Sequence, residues 1–374
     1  MQAGLPVSPV SPASGNGPSD QESAPAYLRR STLERMPKWL ICIPLTLQWL
    51  VLAWRYRSLT LPSAANPRIT SGGLVGEGKL EYFDTMGPVA RAATAAYCAV
   101  STHSVQSGAA LRQTMRRAAL FFPLIAKPDL GLCGYGVRLL ANMGELQAYL
   151  AAFPADETVV LQAYLPQEGE AGIFYARDPD TDKAQIIGLA LRYYPRVTGD
   201  GVHTLAELIA LDPRAGRVLN SPFHESRNDP ASVPAAGEVV RIATIGSTRV
   251  GGLYRDGKAC ITPQLTAAID AIARDMPEFY FGRFDVRFET LASLSMGRDF
   301  TIMEVNGAGS EAIQAWDPDT GLVAGLKTIF QKQRVLFAIG DAMRRQGVRP
   351  IGLLKLIKLN QRQNRLTVRY PPSN

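Results

Sequence analysis

The stretch FYFGRFDVRFETLASLSMGRDFTIMEVNGAG, Phe279 to Gly309, contains two strand-like runs that carry acid where a core strand is apolar. Phe281–Phe288 alternates, with Arg283, Asp285 and Arg287 on one face and Phe284, Val286 and Phe288 on the other. Phe300–Val305 is mostly apolar, yet Glu304 and Asn306, two positions apart, share a face. If the runs pair symmetrically about their loop, Asp285 sits opposite Glu304 and Arg283 opposite Asn306. Directly opposed side chains lie roughly 4.5–5.5 Å apart at Cβ. Two carboxylates that close repel unless a cation lies between them. A divalent metal meets that need, because Asp, Glu and Asn offer the hard oxygens that Mg²⁺ takes beside phosphates. A salt-bridge lattice through Arg283, Arg287 and Arg298 is the structural alternative.

Working upstream, LIAKPDLGLCGYGVRLL places Gly131, Gly134 and Gly136 between two strand-like runs. The Walker pattern is absent, and a Rossmann turn requires a helix where a strand follows here. The element reads as a hairpin flap. Glycines at its tip let backbone N–H groups approach phosphate oxygens, and Lys127 on the entering strand can reach the same anion. A plain surface turn is the other reading. Further on, VVLQAYLPQEGEAGIFYAR has a strand ending in Gln162, a short hinge, then acids at Glu168 and Glu170. That layout suits a purine nucleotide, and equally suits polar residues rimming a turn.

The rest of the chain alternates short strands and helices: a helical region from about Tyr82 to Arg117, strands near 122–127, 137–140, 159–163, 172–176 and 186–193, and helices at 263–274 and about 320–345. Antiparallel strands with helices packed on them make an α+β protein. In 374 residues, 46% apolar, there is room for two or three packed subdomains. Cys42, Cys98, Cys133 and Cys260 form no ligand cluster and read as reduced thiols of a cytoplasmic protein. The three histidines exclude a His-rich metal centre, and His203 and His224 read as structural.

The net charge of +7 comes from the C-terminus: from Ala342 onward there are eight Lys/Arg and no acid, which leaves the body at −1. A neutral body argues against nucleic-acid binding. The tail at 346–374 reads as solvated, or as a contact for anionic lipid. Residues 1–30, rich in Pro, Ser, Gly and Ala, read as a disordered tail. In PKWLICIPLTLQWLVLAWRYR, residues 37–57, the apolar run is roughly 24 Å long as a helix. A bilayer core needs about 30 Å, and Pro44, Thr46 and Gln48 interrupt the run, so a spanning helix is the weakest reading. A buried helix and an interfacial helix with Trp and Arg at the headgroups both stand.

Lysine plus glycine flap, hinge with acids, and an Asp…Glu-x-Asn hairpin resemble, in order and spacing, the ATP-grasp ligases, particularly D-alanine–D-alanine ligase and, in the middle, cyanophycin synthetase. KPDLGLCGYGV, LQAYLPQEGEAG, VTGDGVHTLAELI, GRFDVRF and IMEVNGAGS carry the likeness, over about Arg112 to Asp319. Residues 31–110 match no ligase substrate domain, although their ANPxIxxGGxxGExK pattern is similar to that of bacterial ATP-grasp proteins of unassigned substrate. Gly78 stands where those sequences have Ser.

The resemblance implies an ATP-grasp fold, two α+β subdomains clasping a nucleotide at 111–345, with the lid at about 111–178 and the metal-binding part at about 179–345. A mainly helical segment, 31–110, precedes it. It implies ATP with one or two Mg²⁺, Mn²⁺ being a substitute. Lys127 would hold phosphates under Gly131, Gly134 and Gly136. Gln162, Ala163, Tyr164 and Leu165 would line adenine, and Glu170 would hold ribose. Gln162 replaces a common Glu, and its amide oxygen can still accept from the adenine amino group. Asp285, Glu304 and Asn306 would bind metal; Arg283 and Arg192 would steady the transferring phosphoryl group. The implied reaction is ATP-dependent joining of a small-molecule carboxylate to an amine or thiol through an acylphosphate, with ADP and phosphate released. An ATP-grasp phosphotransferase and an inactive, membrane-associated nucleotide binder are the alternatives. Peripheral contact with the cytoplasmic face of a membrane, through 37–57 and the basic tail, is a further expectation.

Overall fold

The computed structural model describes residues 30–103, 107–221 and 223–374, so the expectation for residues 1–30 lies, Arg30 apart, outside the described residues. The chain opens with α1 (Thr32–Arg35), held by a reciprocal capping box between Ser31 and Glu34, and α2 (Lys38–Arg55). Then come α3 (Lys79–Phe83), α4 (Pro88–Ala92), β1 (Tyr97–Ser101) and α5 (Gly108–Arg117). The flap lies between β2 (Leu124–Pro128) and β3 (Arg138–Leu140), followed by α6 (Met143–Ala152) and β4 (Thr158–Ala163). Next are β5 (Gly169–Arg177), β6 (Ala184–Tyr193), β7 (Arg196–Thr198), α7 (Leu205–Leu211), β8 (Val239–Arg241) and β9 (Leu253–Asp256). The chain finishes with α8 (Pro263–Arg274), β10 (Phe281–Phe288), α9 (Leu291–Ser295), β11 (Phe300–Asn306), α10 (Leu322–Arg345) and α11 (Leu353–Thr367).

Two antiparallel sheets organise the body, one in the order β1-β4-β2-β3 and the other β11-β10-β5-β6-β9, with β7-β8 as a small third. In the five-stranded sheet the period-2 alternation of β10 decides the layering. Phe284, Val286 and Phe288 are buried against Ile173, Phe279, Ile302 and the α8 residues Leu265 and Ile269. Each such side chain contributes roughly 1.5–3 kcal/mol. That burial fixes the register, because a one-residue slip turns every phenylalanine outward. The polar face of β10 is thereby committed to the opposite side. The four-stranded sheet has its own core of Leu111, Leu124, Leu146, Val159 and Leu161, sealed by Leu366 and Tyr370 from the C-terminal segment.

Three sequence expectations change. The helical region expected from Tyr82 to Arg117 contains β1, which pairs with β4 and edges the four-stranded sheet. Its Ala-rich sequence hides a strand that only tertiary pairing stabilises. Of the stretch 111–178, expected to form one lid, β2, β3 and β4 lie with β1 in the four-stranded sheet, whereas β5 is the central strand of the five-stranded sheet. The tail expected to be solvated is α11 plus an ordered end, with Gln363, Leu366, Tyr370, Ser373 and Asn374 buried. Its cations keep to the outer face while every third or fourth residue packs on the four-stranded sheet, an amphipathic pattern that a charge count overlooks. Among the described residues no helix is long and apolar enough to cross a membrane.

Candidate functional site

The β10–β11 pairing read from the sequence is the pairing in the structure: Arg283 opposes Asn306 and Asp285 opposes Glu304. The ladder continues across the sheet, with Arg287 opposite Glu170, Glu170 opposite Arg192, and Arg192 opposite Tyr254. This one row alternates guanidinium and acid across β10, β5 and β6 and ends on the tyrosine of β9.

Asp285 is the anchor of this lattice. Its Oδ1 accepts from Arg283 Nε at 2.6 Å and from the Arg192 guanidinium at 3.1 Å. Its Oδ2 accepts from Arg283 at 2.8 Å and from Asn306 Nδ2 at 3.2 Å. Glu170 is similarly enclosed, by Arg192 at 3.0 Å, Arg287 at 3.6 Å and the Tyr194 hydroxyl. Burial alone would raise the Glu170 pKa, but Arg287, Arg192 and Tyr194 together bring it below the ordinary value. Glu170, expected to hold ribose, therefore has both oxygens engaged within the sheet. Arg298, a member of the lattice expected from sequence, lies exposed beside Asp299, and Arg192 takes its place.

A register shift between Asp285 and Val286 leaves Met303 as the extra residue of β11. A bulge removes its residue from the ladder and re-aims its neighbours. The Met303 carbonyl accepts from Lys127 Nζ at 2.8 Å, so β2 of the four-stranded sheet reaches across to the bulge. Lys127 also donates to Gln162 Oε1 at 2.8 Å. Burial lowers the Lys127 pKa to about 8, with Glu304 and Asp285 opposing the fall and Lys79 adding to it. The Gln162 amide oxygen, expected for adenine, is thus occupied, and its Nε2 is the buried atom without a partner. Ala163, Tyr164 and Leu165 follow at the end of β4, each half-buried.

Two residues that sequence reading did not select belong here. Lys79 Nζ lies 3.4 Å from Glu304 Oε1 and against Gly131, where an added Cβ would meet it at 2.5 Å. It therefore links the hairpin to the flap. The GEGK motif was the available signal, and only the fold shows where its lysine lands. Glu77 is half-buried beside it, with its Oε2 enclosed and unpartnered. Burial raises the Glu77 pKa to about 7, Lys79 opposing, Glu81 and Glu304 adding. With the folded pKa above the ordinary glutamate value of 4.5, the neutral form is favoured, and its stabilising contribution is full below pH 4.5 and lost as pH rises through about 7. Glu77→Gln is expected to stabilise the protein by about 1–3 kcal/mol above pH 7 and to change little below pH 4.5, in urea unfolding at both pH values. Equal effects at the two would contradict this.

The flap turns through left-handed backbone at Cys133, Gly134 and Gly136. At Gly136 a Cβ would strike Pro128 at 2.8 Å, so the tight hairpin needs glycine there. Gln363 bridges the Gly76 N–H and the Gly131 carbonyl at 3.0 Å each, and the Tyr370 hydroxyl donates to Leu130 O at 2.7 Å. His203 pairs with Asp200 in an exposed loop, away from the lattice, and the half-buried His224 has its pKa lowered first by burial.

Magnesium is implied by the resemblance, and the donor set can be tested for it. Glu304 keeps a third of its side chain exposed. Lost hydration would raise its pKa, but Lys79, Lys127, Arg283 and Arg192 overcome this and hold it at about 2. It is an ionised, reachable hard ligand. Asn306 gives its amide nitrogen to Asp285, which leaves its oxygen for a cation. These two fit. Asp285 does not fit as a ligand in this arrangement, since donors from Arg283, Arg192 and Asn306 fill its four acceptor positions. Among the described residues no cluster of three or more His, Cys, Asp or Glu is arranged to hold a metal.

No family model matches the chain, and no curated protein matches it. Solved structures do. The D-alanine–D-alanine ligase of Bacillus anthracis is 14% identical, with 74% of this chain and 70% of that one covered at a TM-score of 0.40. The D-Ala:D-Ser ligase of Enterococcus faecalis is 15% identical over 71% of this chain and 62% of its own, also at 0.40. The bifunctional glutathione synthetase of Pasteurella multocida is 18% identical over 65% of this chain, at 0.34, and this chain spans 35% of its length.

Proposed function

We propose that the chain is an ATP-dependent ligase that activates a small-molecule carboxylate as an acylphosphate and joins it to an amine. The observation that carries this reading is the convergence of Lys127, Lys79, Glu304 and the Asp285-anchored arginines beneath the glycine flap. Phosphoryl transfer asks for positioning and charge neutralisation rather than a protein nucleophile, and this site supplies both.

Lys127 and Lys79 would hold the β- and γ-phosphates as point charges. Flap N–H groups from Gly131 to Gly136 would cover them, and Gln162 Nε2 would donate to a ring nitrogen of adenine, with Ala163, Tyr164 and Leu165 beside it. Glu304 and Asn306 would hold magnesium, which when bound neutralises phosphate charge. Arg283 and Arg192, oriented by Asp285, would stabilise charge on the transferring group. A substrate carboxylate oxygen attacks the γ-phosphorus as the bond to ADP breaks. The amine lone pair then attacks the acyl carbon, a proton leaves the nitrogen, and phosphate departs. Closure of the flap would keep water from the acylphosphate in between.

Incubation with ATP, magnesium, a panel of carboxylates and hydroxylamine tests this. A ligase yields an acyl hydroxamate in step with ADP. ADP formed with a phosphorylated hydroxyl product and no hydroxamate would make the protein a phosphotransferase instead.

A further inference from the structure

Helix α2 is inverted relative to an ordinary surface helix. One side packs on α10 through Ile41, Gln48 and Leu52, Gln48 donating to the Phe330 carbonyl at 2.8 Å. The other side exposes Trp39, Ile43, Leu47, Leu50, Val51 and Trp54, with 66% of Trp39, 58% of Leu47 and 83% of Trp54 open to solvent. At 100° per residue these fall within one arc of about 120° that holds no charge. An apolar cleft of about 260 Å³, lined by Leu40, Ile41, Ile43, Leu322 and Leu326, continues this surface. Contiguous apolar patches beyond a few hundred Å² are rare on monomers and mark interaction sites.

Charge identifies the occupant. From Arg35 to Gly76 there are five Lys/Arg and no acid. The chain leaving α2 is tied to the connector before α11: Thr60 donates to the Ile351 carbonyl at 2.7 Å, and Ile351 N–H donates to Ser63 Oγ at 2.8 Å. Helix α11 starts two residues later, with Leu353, Leu354 and Ile357 exposed among Lys355 and Lys358. Two acid-free, cation-rich segments are therefore tied together just beyond the C-terminal end of α2. A second copy docking on this face by two-fold symmetry would set cation against cation. Tryptophans at both ends of an apolar stripe, with Lys38 before it and Arg55 and Arg57 after it, match the layering of a lipid interface.

We propose that the exposed face of α2, with the start of α11, seats on an anionic lipid surface, α2 lying in the plane of the interface. The site would then work at the membrane, its substrates delivered there.

The full chain is sedimented with phosphatidylcholine vesicles and with vesicles that also contain phosphatidylglycerol. Binding to the anionic vesicles is expected, with Trp39 and Trp54 fluorescence quenched by brominated lipid. Leu47→Glu and Leu50→Glu alter exposed positions, so circular dichroism should be unchanged while binding falls about tenfold or more for each. Lys355→Gln and Lys358→Gln are each expected to lose about fivefold. Protein that stays in the supernatant with both vesicle types, or binds both equally, overturns the proposal. So does a wild-type dimer in light scattering that Leu47→Glu converts to monomer without any vesicle binding.

Discussion

Replacement of Glu304 by Gln is expected to cut ATP turnover by about 10³-fold or more while the protein stays folded. Of the opposed acids Asp285 and Glu304, the latter is the one left reachable, with a third of its side chain exposed and its pKa held at about 2. Removing one preorganised charge from a phosphoryl-transfer site has effects of that order. The change also removes the largest influence that keeps Lys127 charged, since Glu304 is what chiefly opposes its desolvation. Lys127 of the variant should therefore lose its proton at lower pH than in the wild type, so nucleotide binding weakens with rising pH already below about 8, where the wild-type lysine is still charged. Glu304 is a third exposed but the Lys79 it faces at 3.4 Å is buried, so the stability cost is about 1–3 kcal/mol. Turnover within tenfold of wild type would remove Glu304 from the site.

Asp285→Asn is expected to fail in the opposite way, through the fold. Asp285 is buried, and its charge compensates two guanidinium groups, Arg283 and Arg192, at 2.6 to 3.1 Å. Taking one partner from a buried ionic cluster leaves the other charges uncompensated, which costs about 3–5 kcal/mol. The amide also turns an N–H₂ toward donors. Urea unfolding of Asp285→Asn, Arg283→Met and the double variant separates the effects: the double variant is expected to be more stable than Asp285→Asn alone. A loss below about 1 kcal/mol for Asp285→Asn would show that the arginines do not depend on it.

The contrast between these two acids marks the limit of what local sequence shows. Alternation in β10 was legible because burying Phe284, Val286 and Phe288 enforces a period of two, and symmetric pairing then placed Asp285 against Glu304. The difference in their fates was not legible. Arg192 arrives from β6, ninety-three residues earlier in the chain, and only the β10-β5-β6 order brings it to Asp285. The Met303 bulge, which gives Lys127 its carbonyl, has no periodic signature. Glu77 precedes α3 and Lys79 is its first residue, and the position of that helix start depends on the flap and the hairpin together. Strand β1 and the packed C-terminal segment escaped for the same reason: each is stabilised by partners far away in sequence.

Titration calorimetry of the full chain with ATP, with and without magnesium, tests the central claim most directly. Magnesium-dependent binding that Glu304→Gln and Lys127→Ala each abolish is the expected result. ATP binding that ignores magnesium and survives both substitutions, or no ATP binding at all, would contradict the account.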